Sequence, residues 1–512
     1  MKEDVSLDVL SRREAGVLLH ITSLPSRFGI GDLGAGAYRF VDFLKSSGQS
    51  LWQILPLNPT SGEQFDSPYS SISSFAGNPL FISPEILAEE KLVPYKELED
   101  APLFPQDFVD YSRARDYKYR ILNIAYNNFK GANSKDDFQK FCEDNSFWLE
   151  DFVLYSVGKN VFGGKPWNEW PAQIRDREKG SLRSFKEKYN DQIEKLKFFQ
   201  YLFFRQWFSL KEYCSRKGVK VIADLPIYVS LDSADTWSHP WIFKLDSSKR
   251  PQFLAGVPPD YFSSTGQLWG NPIYDWPALE EEGFRWWVER MKHISKLCDI
   301  VRIDHFRGLV AYWQVPAGER TAIKGKWVQA PARNLLRTLF ESIPHLDIIG
   351  EDLGVITPDV RRVMRDFGIP GMKVLLFAFG EDNPRHPYLP HNYERNCVVY
   401  TGTHDNNTVR GWFEKEAQES EKRRFFEYIG RRCSPEEVHW EFIRLSFMSV
   451  ADKAIVPMQD ILGLDDKARM NKPSTTGNNW KWRLRESFLS QEARDKLFSL
   501  SCIYGRCKDI QS

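Results

Sequence analysis

Arg302 and Asp304 stand two residues apart at the end of the apolar run 300–303. On a strand, that spacing turns both side chains to one face. Glu351-Asp352 closes a second apolar run, Thr403-His404-Asp405-Asn406-Asn407 closes a third, and Asp224 closes a fourth. Carboxylates gathered on one rim, with an arginine beside one of them, suit the breaking of a glycosidic bond. One carboxylate, kept ionised by the arginine, attacks the anomeric carbon. A second, with its pKa raised by apolar or acidic surroundings, gives its proton to the leaving oxygen. A third can bind sugar hydroxyls as the ring flattens. An isolated acid at a strand end is as often a cap or an ion pair. Three on one rim with an in-register arginine favour catalysis.

The same positions admit a metal reading. Asp304-His305, Glu351-Asp352 and His404-Asp405 are ligand types for zinc or a related ion. Against it, the first strand offers only His20 followed by Ile21 and Thr22, not a paired His-x-His. The carboxylate reading is preferred, with no metal.

The elements that must position these residues are short apolar runs at 16–20, 51–55, 219–224, 300–304, 347–351, 372–377, 397–401 and 454–458. Helical segments lie between several of them. Thr357 precedes Pro358, and Gly368 with Pro370 closes that helix. Ser434-Pro435-Glu436-Glu437 has the pattern of a capping box. The aromatic, amphipathic stretch 194–217 ends at Gly218. Strand and helix in alternation predict a parallel sheet. Eight units predict an α/β fold, a single (β/α)8 TIM barrel over 1–512 with its site at the C-terminal strand ends. The spacing is uneven. Residues 57–217 exceed a connecting loop and predict a mainly helical insertion, with helices near 111–130, 135–160 and 194–217. Residues 228–299, rich in Pro, Gly, Trp and Tyr, read as an irregular, loop-rich insertion.

Composition narrows the partners. The chain has 512 residues, with 69 Lys plus Arg against 69 Asp plus Glu, so no basic excess points to nucleic acid or an anionic membrane. Its 17 Trp, 20 Tyr and 36 Phe serve either a core or a cleft that stacks on sugar rings. Seven scattered cysteines without a C-x-x-C argue against a disulfide framework or zinc ribbon and fit a reducing cytoplasm. The acidic N-terminus does not read as a signal peptide. No stretch approaches the ~18 apolar residues of a membrane helix.

Along nearly its whole length the chain resembles the 4-α-glucanotransferases of the amylomaltase or disproportionating-enzyme family, relatives of the α-amylases. The matching stretches are 16–25, Ser67-Pro68-Tyr69 with 75–79, 223–229, 256–262 with 267–272, 302–308, 350–354, 402–406, Gln459-Asp460 and Ala468-Arg469-Met470-Asn471. The resemblance implies transfer of α-1,4-glucan segments between maltooligosaccharides, with glucose as an acceptor, by a retaining double displacement without a cofactor. It implies Asp304 as nucleophile, Glu351 as acid/base and Asp405 as transition-state stabiliser. Arg302 and His404 would touch the nucleophile and the sugar, Tyr69 would stack on that sugar, and Asn471 would add a contact. Ser67, Asp224, Asp260, Gln267 and Trp269 complete the implied binding set. The loop within 256–272, from Asp260 to Trp269, would close over the glucan.

Three departures stand out: Leu376 where relatives often carry an amide or acid, the 61–66 turn in place of a short Gly-rich one, and an extra Asn in Gly477-Asn478-Asn479-Trp480. Tyr228, Trp52 and the Phe residues of 194–217 read as core, the charges of 419–424 as a solvated helix face, and Asp232 and Asp235 as turn residues. Trp269, between Gly266 and Gly270, reads as a mobile stacking platform. Two alternatives accompany transfer: an α-1,4-glucan hydrolase on the same barrel, and a silent glucan-binding protein.

Overall fold

The computed structural model describes residues 13–131, 135–259 and 263–507. Twelve strands occur among them: β1 (Glu14–Leu18), β2 (Leu51–Ile54), β3 (Lys220–Leu225), β4 (Phe253–Val257), β5 (Gln267–Pro272), β6 (Ile300–Ile303), β7 (Ala311–Pro316), β8 (Lys326–Gln329), β9 (Ile348–Gly350), β10 (Gly371–Val374), β11 (Cys397–Tyr400) and β12 (Lys453–Pro457). Eight of them form one parallel sheet in the order β10-β11-β12-β1-β2-β3-β6-β9. The Gly350 N–H donates to the Pro370 carbonyl at 3.0 Å across the remaining gap between β9 and β10. The result is a (β/α)8 TIM barrel, and its eight strands are the eight apolar runs of the sequence.

Burial on both faces explains why these strands are continuous in Val, Ile and Leu rather than alternating. Val17, Trp52, Val221, Ile303, Ile349, Val399 and Ile455 are all essentially inaccessible. Gly16 in β1 is required by close approach: a Cβ there would lie 2.2 Å from the Leu51 carbonyl oxygen of β2. Polar groups inside the sheet are paired, as in the Tyr400 hydroxyl donating to Gln53 Oε1 at 2.8 Å.

Two connections depart from expectation. Residues 228–299 are not mainly irregular. They hold β4, β5 and the α-helices Ala234–Ser238, Trp276–Glu281 and Arg285–Leu297. β4 and β5 join β7 and β8 in an antiparallel sheet of order β5-β4-β7-β8, built from segments either side of β6. The Gly and Pro content hid a pair of strands, one of which, β4, also pairs with distant β7. Between β10 and β11 there is no α-helix, only 3-10 turns at Leu375–Phe377 and Pro390–Asn392. Pro384, Pro387 and Pro390 remove the N–H groups an α-helix there would need.

The stretch 57–217 carries the expected helices at Tyr111–Lys130 and Asn190–Arg216, while 135–160 divides at Asn145 into Asp136–Asp144 and Ser146–Val161. Asp232 and Asp235 are more than turn residues. Asp232 accepts from the Tyr155 hydroxyl at 2.7 Å and Lys159 at 2.6 Å, and buried Asp235 accepts the Ser74 N–H at 2.8 Å. No helix among the described residues is long and apolar enough to cross a membrane.

One ion pair fastens the long helix to the barrel. Lys118, 1% exposed, donates to Asp32 at 2.8 Å and to the Ile82 carbonyl at 2.8 Å. Asp32, in the loop after β1, also caps the Gly34 N–H at 3.1 Å. Removing one member of a buried pair strands the other charge. Lys118→Met is expected to destabilise the protein by about 3–5 kcal/mol, read as a fall in Tm on thermal unfolding.

Candidate active site

β3 and β6 are neighbours, and Asp224 is the register partner of Arg302. Arg302 Nη1 donates to both Asp224 oxygens, at 2.6 and 2.5 Å, and to Asp304 Oδ1 at 3.1 Å. Arg302 Nε reaches Met372 Sδ on β10 at 3.3 Å. The guanidinium is 3% exposed.

Glu351 follows β9. Its Oε2 accepts the His305 N–H at 2.8 Å and its Oε1 the Leu353 N–H at 2.7 Å. His305 adopts the left-handed region (φ 50°), an uncommon conformation for a non-glycine residue, and this turn is part of the contact with Glu351. Burial, then the neighbouring Asp304 carboxylate, pushes Glu351 up to about 8. Burial also pushes Asp304 up, to about 6, but Arg302 opposes the rise there. Both carboxyls are raised, and Arg302 holds Asp304 below Glu351. The two carboxyls thus sit in unequal settings.

Asp405 and His404 follow β11. Burial alone would raise Asp405, but the His404 charge and hydrogen bonds from His404 and Asn471 hold it down at about 2. His404 Nε2 lies 3.3 Å from Asp405 Oδ2, and Asn471 Nδ2 donates to Oδ1 at 2.6 Å. Burial opposes the charge on His404, and Asp405 outweighs it, so His404 is raised above its ordinary value. Asn471 comes from the segment after β12, where its N–H donates to the His404 carbonyl at 3.0 Å.

Tyr69 joins the two sides. Its hydroxyl donates to Asp224 at 2.6 Å and its ring stacks on His404 at 5.1 Å between centroids. Ser67 Oγ accepts the Tyr69 N–H at 3.3 Å, which shapes the loop carrying the ring. Arg302, Asp304, Asp224, Tyr69, His404, Asp405 and Asn471 are thus linked by direct contacts, and Glu351 joins them through the Asp304 field and His305.

Gln267 and Trp269 sit on β5, outside that network. Gln267 Oε1 accepts from Trp269 Nε1 at 3.2 Å. Trp269 is 37% exposed and meets His305 edge-on at 4.9 Å. It therefore borders the rim from a strand rather than from an irregular loop. Asp260 lies outside the described residues.

Asp352, Trp480 and Arg469 refine the sequence reading. Asp352 turns away from Glu351, accepting the Met372 N–H at 2.6 Å. Among the described residues no three His, Cys, Asp or Glu side chains gather closely enough to hold a metal ion. Trp480 backs both Tyr69 (5.8 Å) and His404 (5.9 Å), and only its place after the departing Asn residues could have drawn notice. Arg469, beside Asn471 in one motif, reaches the Asp405 carbonyl at 2.8 Å.

Comparison with known proteins identifies the family and the fold. The sequence profile of a family described as 4-alpha-glucanotransferase matches residues 19–489. A 4-alpha-glucanotransferase of Aquifex aeolicus is 48% identical over 96% of this chain and 99% of its own. One from Clostridium butyricum is 47% identical over 96% of this chain and 100% of its own. An amylomaltase from Streptococcus agalactiae, solved in complex with acarbose, superimposes with a TM-score of 0.93 at 39% identity, covering 97% of this chain and 100% of that one. The fold also matches an amylomaltase from Corynebacterium glutamicum with a TM-score of 0.79 at 19% identity, over 96% of this chain and 75% of that one. The chain belongs to the 4-alpha-glucanotransferase family.

Proposed function

We propose that this glucan-transferring enzyme works by double displacement, with Asp304 as nucleophile, Glu351 as acid/base and Asp405 as stabiliser of the flattened sugar. In the first step an Asp304 oxygen forms a bond to the anomeric carbon. The bond to the leaving glucan breaks, and its oxygen takes the Glu351 proton. In the second step the Glu351 carboxylate takes the proton of an acceptor hydroxyl. That hydroxyl oxygen attacks the anomeric carbon and frees Asp304. Two inversions give retention.

The observation that carries this reading is the unequal setting of the two acids. Asp304 has a guanidinium at 3.1 Å, whereas Glu351 is held by two backbone N–H groups and faces the Asp304 charge. Asp405, low at about 2, stays negative throughout and suits a site that binds hydroxyls and meets developing positive charge. Tyr69, Asp224, Arg302, His404 and Asn471 would hold the sugar at the cleaved bond, with Ser67 shaping the loop below Tyr69. Maltooligosaccharides are the donors and acceptors in this reading, glucose among the acceptors, with no cofactor. A cytoplasmic setting is supported by seven unpaired cysteines.

Transfer must outcompete water at the covalent intermediate. Trp269, with Gln267, would cover that intermediate and offer an apolar face to the acceptor. Its edge contact with His305, whose N–H holds Glu351, supports that part.

Three outcomes test the reading. Asp304→Asn, nearly isosteric, is expected to lower kcat by at least about ten-thousand-fold with Tm close to the parent; near-normal turnover would overturn the nucleophile. The pH profile of kcat/KM should be a bell. Activity falls as pH rises through about 8, where Glu351 loses its proton, and as pH drops through about 6, where Asp304 gains one. A profile flat across pH 5–9 would remove the assignment of acid and nucleophile. Incubated with maltotriose, the parent should yield longer oligomers plus glucose. Trp269→Ala should raise the share of donor lost to water severalfold; both rates falling together would make Trp269 a binding residue only.

A further inference from the structure

The motif Ala468-Arg469-Met470-Asn471 contributes Asn471 to the site and leaves its arginine without a part. The Arg469 side chain is 19% exposed and engages three separate acceptors. Nη2 donates to the Asp405 carbonyl at 2.8 Å and Nε to the Asn471 carbonyl at 2.8 Å. Nη1 pairs with Glu416 Oε1 at 3.0 Å, and the same oxygen accepts Asn407 Nδ2 at 2.9 Å. Glu416 ends the π-turn Trp412–Glu416, a geometry that recurs at functional sites.

These bonds join two segments whose flanks are already tied, since Asp460 accepts from the Thr401 hydroxyl at 2.6 Å and the Val409 N–H at 2.8 Å and Gln459 donates to the Ala468 carbonyl at 3.3 Å. Residues 403–407 follow β11, and 469–471 lie on the far side of the short helix and turns after β12. Chain connectivity does not set their register. Besides the Arg469 bonds, the Asn471 N–H donates to the His404 carbonyl at 3.0 Å and its side chain meets Asp405 at 2.6 Å. A partly exposed Arg–Glu pair adds little to fold stability. A planar fork on two backbone carbonyls, by contrast, fixes their separation and direction.

We propose that Arg469, oriented by Glu416, is a positioning residue that holds the backbones of Asp405 and Asn471 in register so that both side chains meet the sugar together. The proposal rests on the reading of Asp405 and Asn471 given above. Its hydrogen bonds run to the protein, so its effect passes through those two residues. Misplacing a catalytic group by an ångström is enough to cost about a hundredfold in rate.

A double-mutant cycle tests this. Parent, Arg469→Ala, Arg469→Lys, Asn471→Ala and the Arg469→Ala/Asn471→Ala double variant are compared in maltotriose disproportionation, with Tm measured for each. Arg469→Ala should lower kcat by about ten- to a hundredfold with a smaller change in KM and little change in Tm. In the Asn471→Ala background the same substitution should cost severalfold less than in the parent, since only the Asp405 side chain is then left to misplace. Arg469→Lys should not rescue, because one ammonium cannot span the three acceptors. If Arg469→Ala fails to fold, Arg469→Lys takes its place in the cycle. Equal losses in both backgrounds, full rescue by lysine, or kcat within twofold of the parent would each overturn the proposal alone. Undiminished kcat in Asn471→Ala would instead overturn the reading of Asn471, and the proposal with it.

Discussion

A guanidinium buried to 3% exposure must find acceptors for its N–H groups, and negative ones offset the cost of desolvating its charge most strongly. Arg302 has two, Asp224 and Asp304, and the first is fixed by strand register: on parallel β3 and β6, position 224 stands opposite position 302. A slip of one residue would turn Arg302 into the helical layer and leave Asp224 unpaired. The barrel's pairing and the charge pattern of its mouth are therefore one constraint. Asp224 then orients Tyr69 through a 2.6 Å hydrogen bond, and Tyr69 stacks on His404 across the opening.

The same cation sets the acids apart. Asp304 and Glu351 are both raised by burial and repel one another, so a site holding only these two would share a proton without preference. Arg302 lies 3.1 Å from Asp304. Glu351 feels that cation more weakly than it feels burial and the Asp304 charge, and its oxygens accept from two amide N–H groups. On the opposite rim, His404 and Asn471 keep Asp405 low by direct hydrogen bonds. Three carboxyls within one opening thus have three settings, set by which neighbour is charged.

What the sequence made legible follows from range. The eight barrel strands are short apolar runs with their pairing partners on both sides, and burial writes itself into their composition. Arg302 and Asp304 show their shared face through spacing alone. Ordered family motifs then named Asp405 and Asn471, which no local pattern would have joined, since 66 residues separate them. The sheet β5-β4-β7-β8 was hidden because β4 pairs with β7 across β6, and glycine and proline at its bends look locally like loop. The absence of an α-helix between β10 and β11 is legible in Pro384, Pro387 and Pro390. Trp480 and Arg469 act through contacts to other site residues, and position along the chain carries little trace of that.

The helical insertion belongs to the site as much as the barrel does. The 61–66 turn, unusual in sequence, holds Phe65 and Asp66 both at φ 54°, a left-handed pair that needs outside support. Asp66 is ion-paired with Arg115 on the helix Tyr111–Lys130. That helix is itself tied to the loop after β1 by Lys118 and Asp32. From Asp66 the chain runs directly into Ser67-Pro68-Tyr69. Tyr69 is thus positioned from above by the insertion and from below by Asp224, and neither alone would fix a half-buried ring over His404. Arg115 on the helix Tyr111–Lys130 meets the acid of this turn and holds it in place. It is the anchoring, not the glycine content, that the catalytic mouth requires.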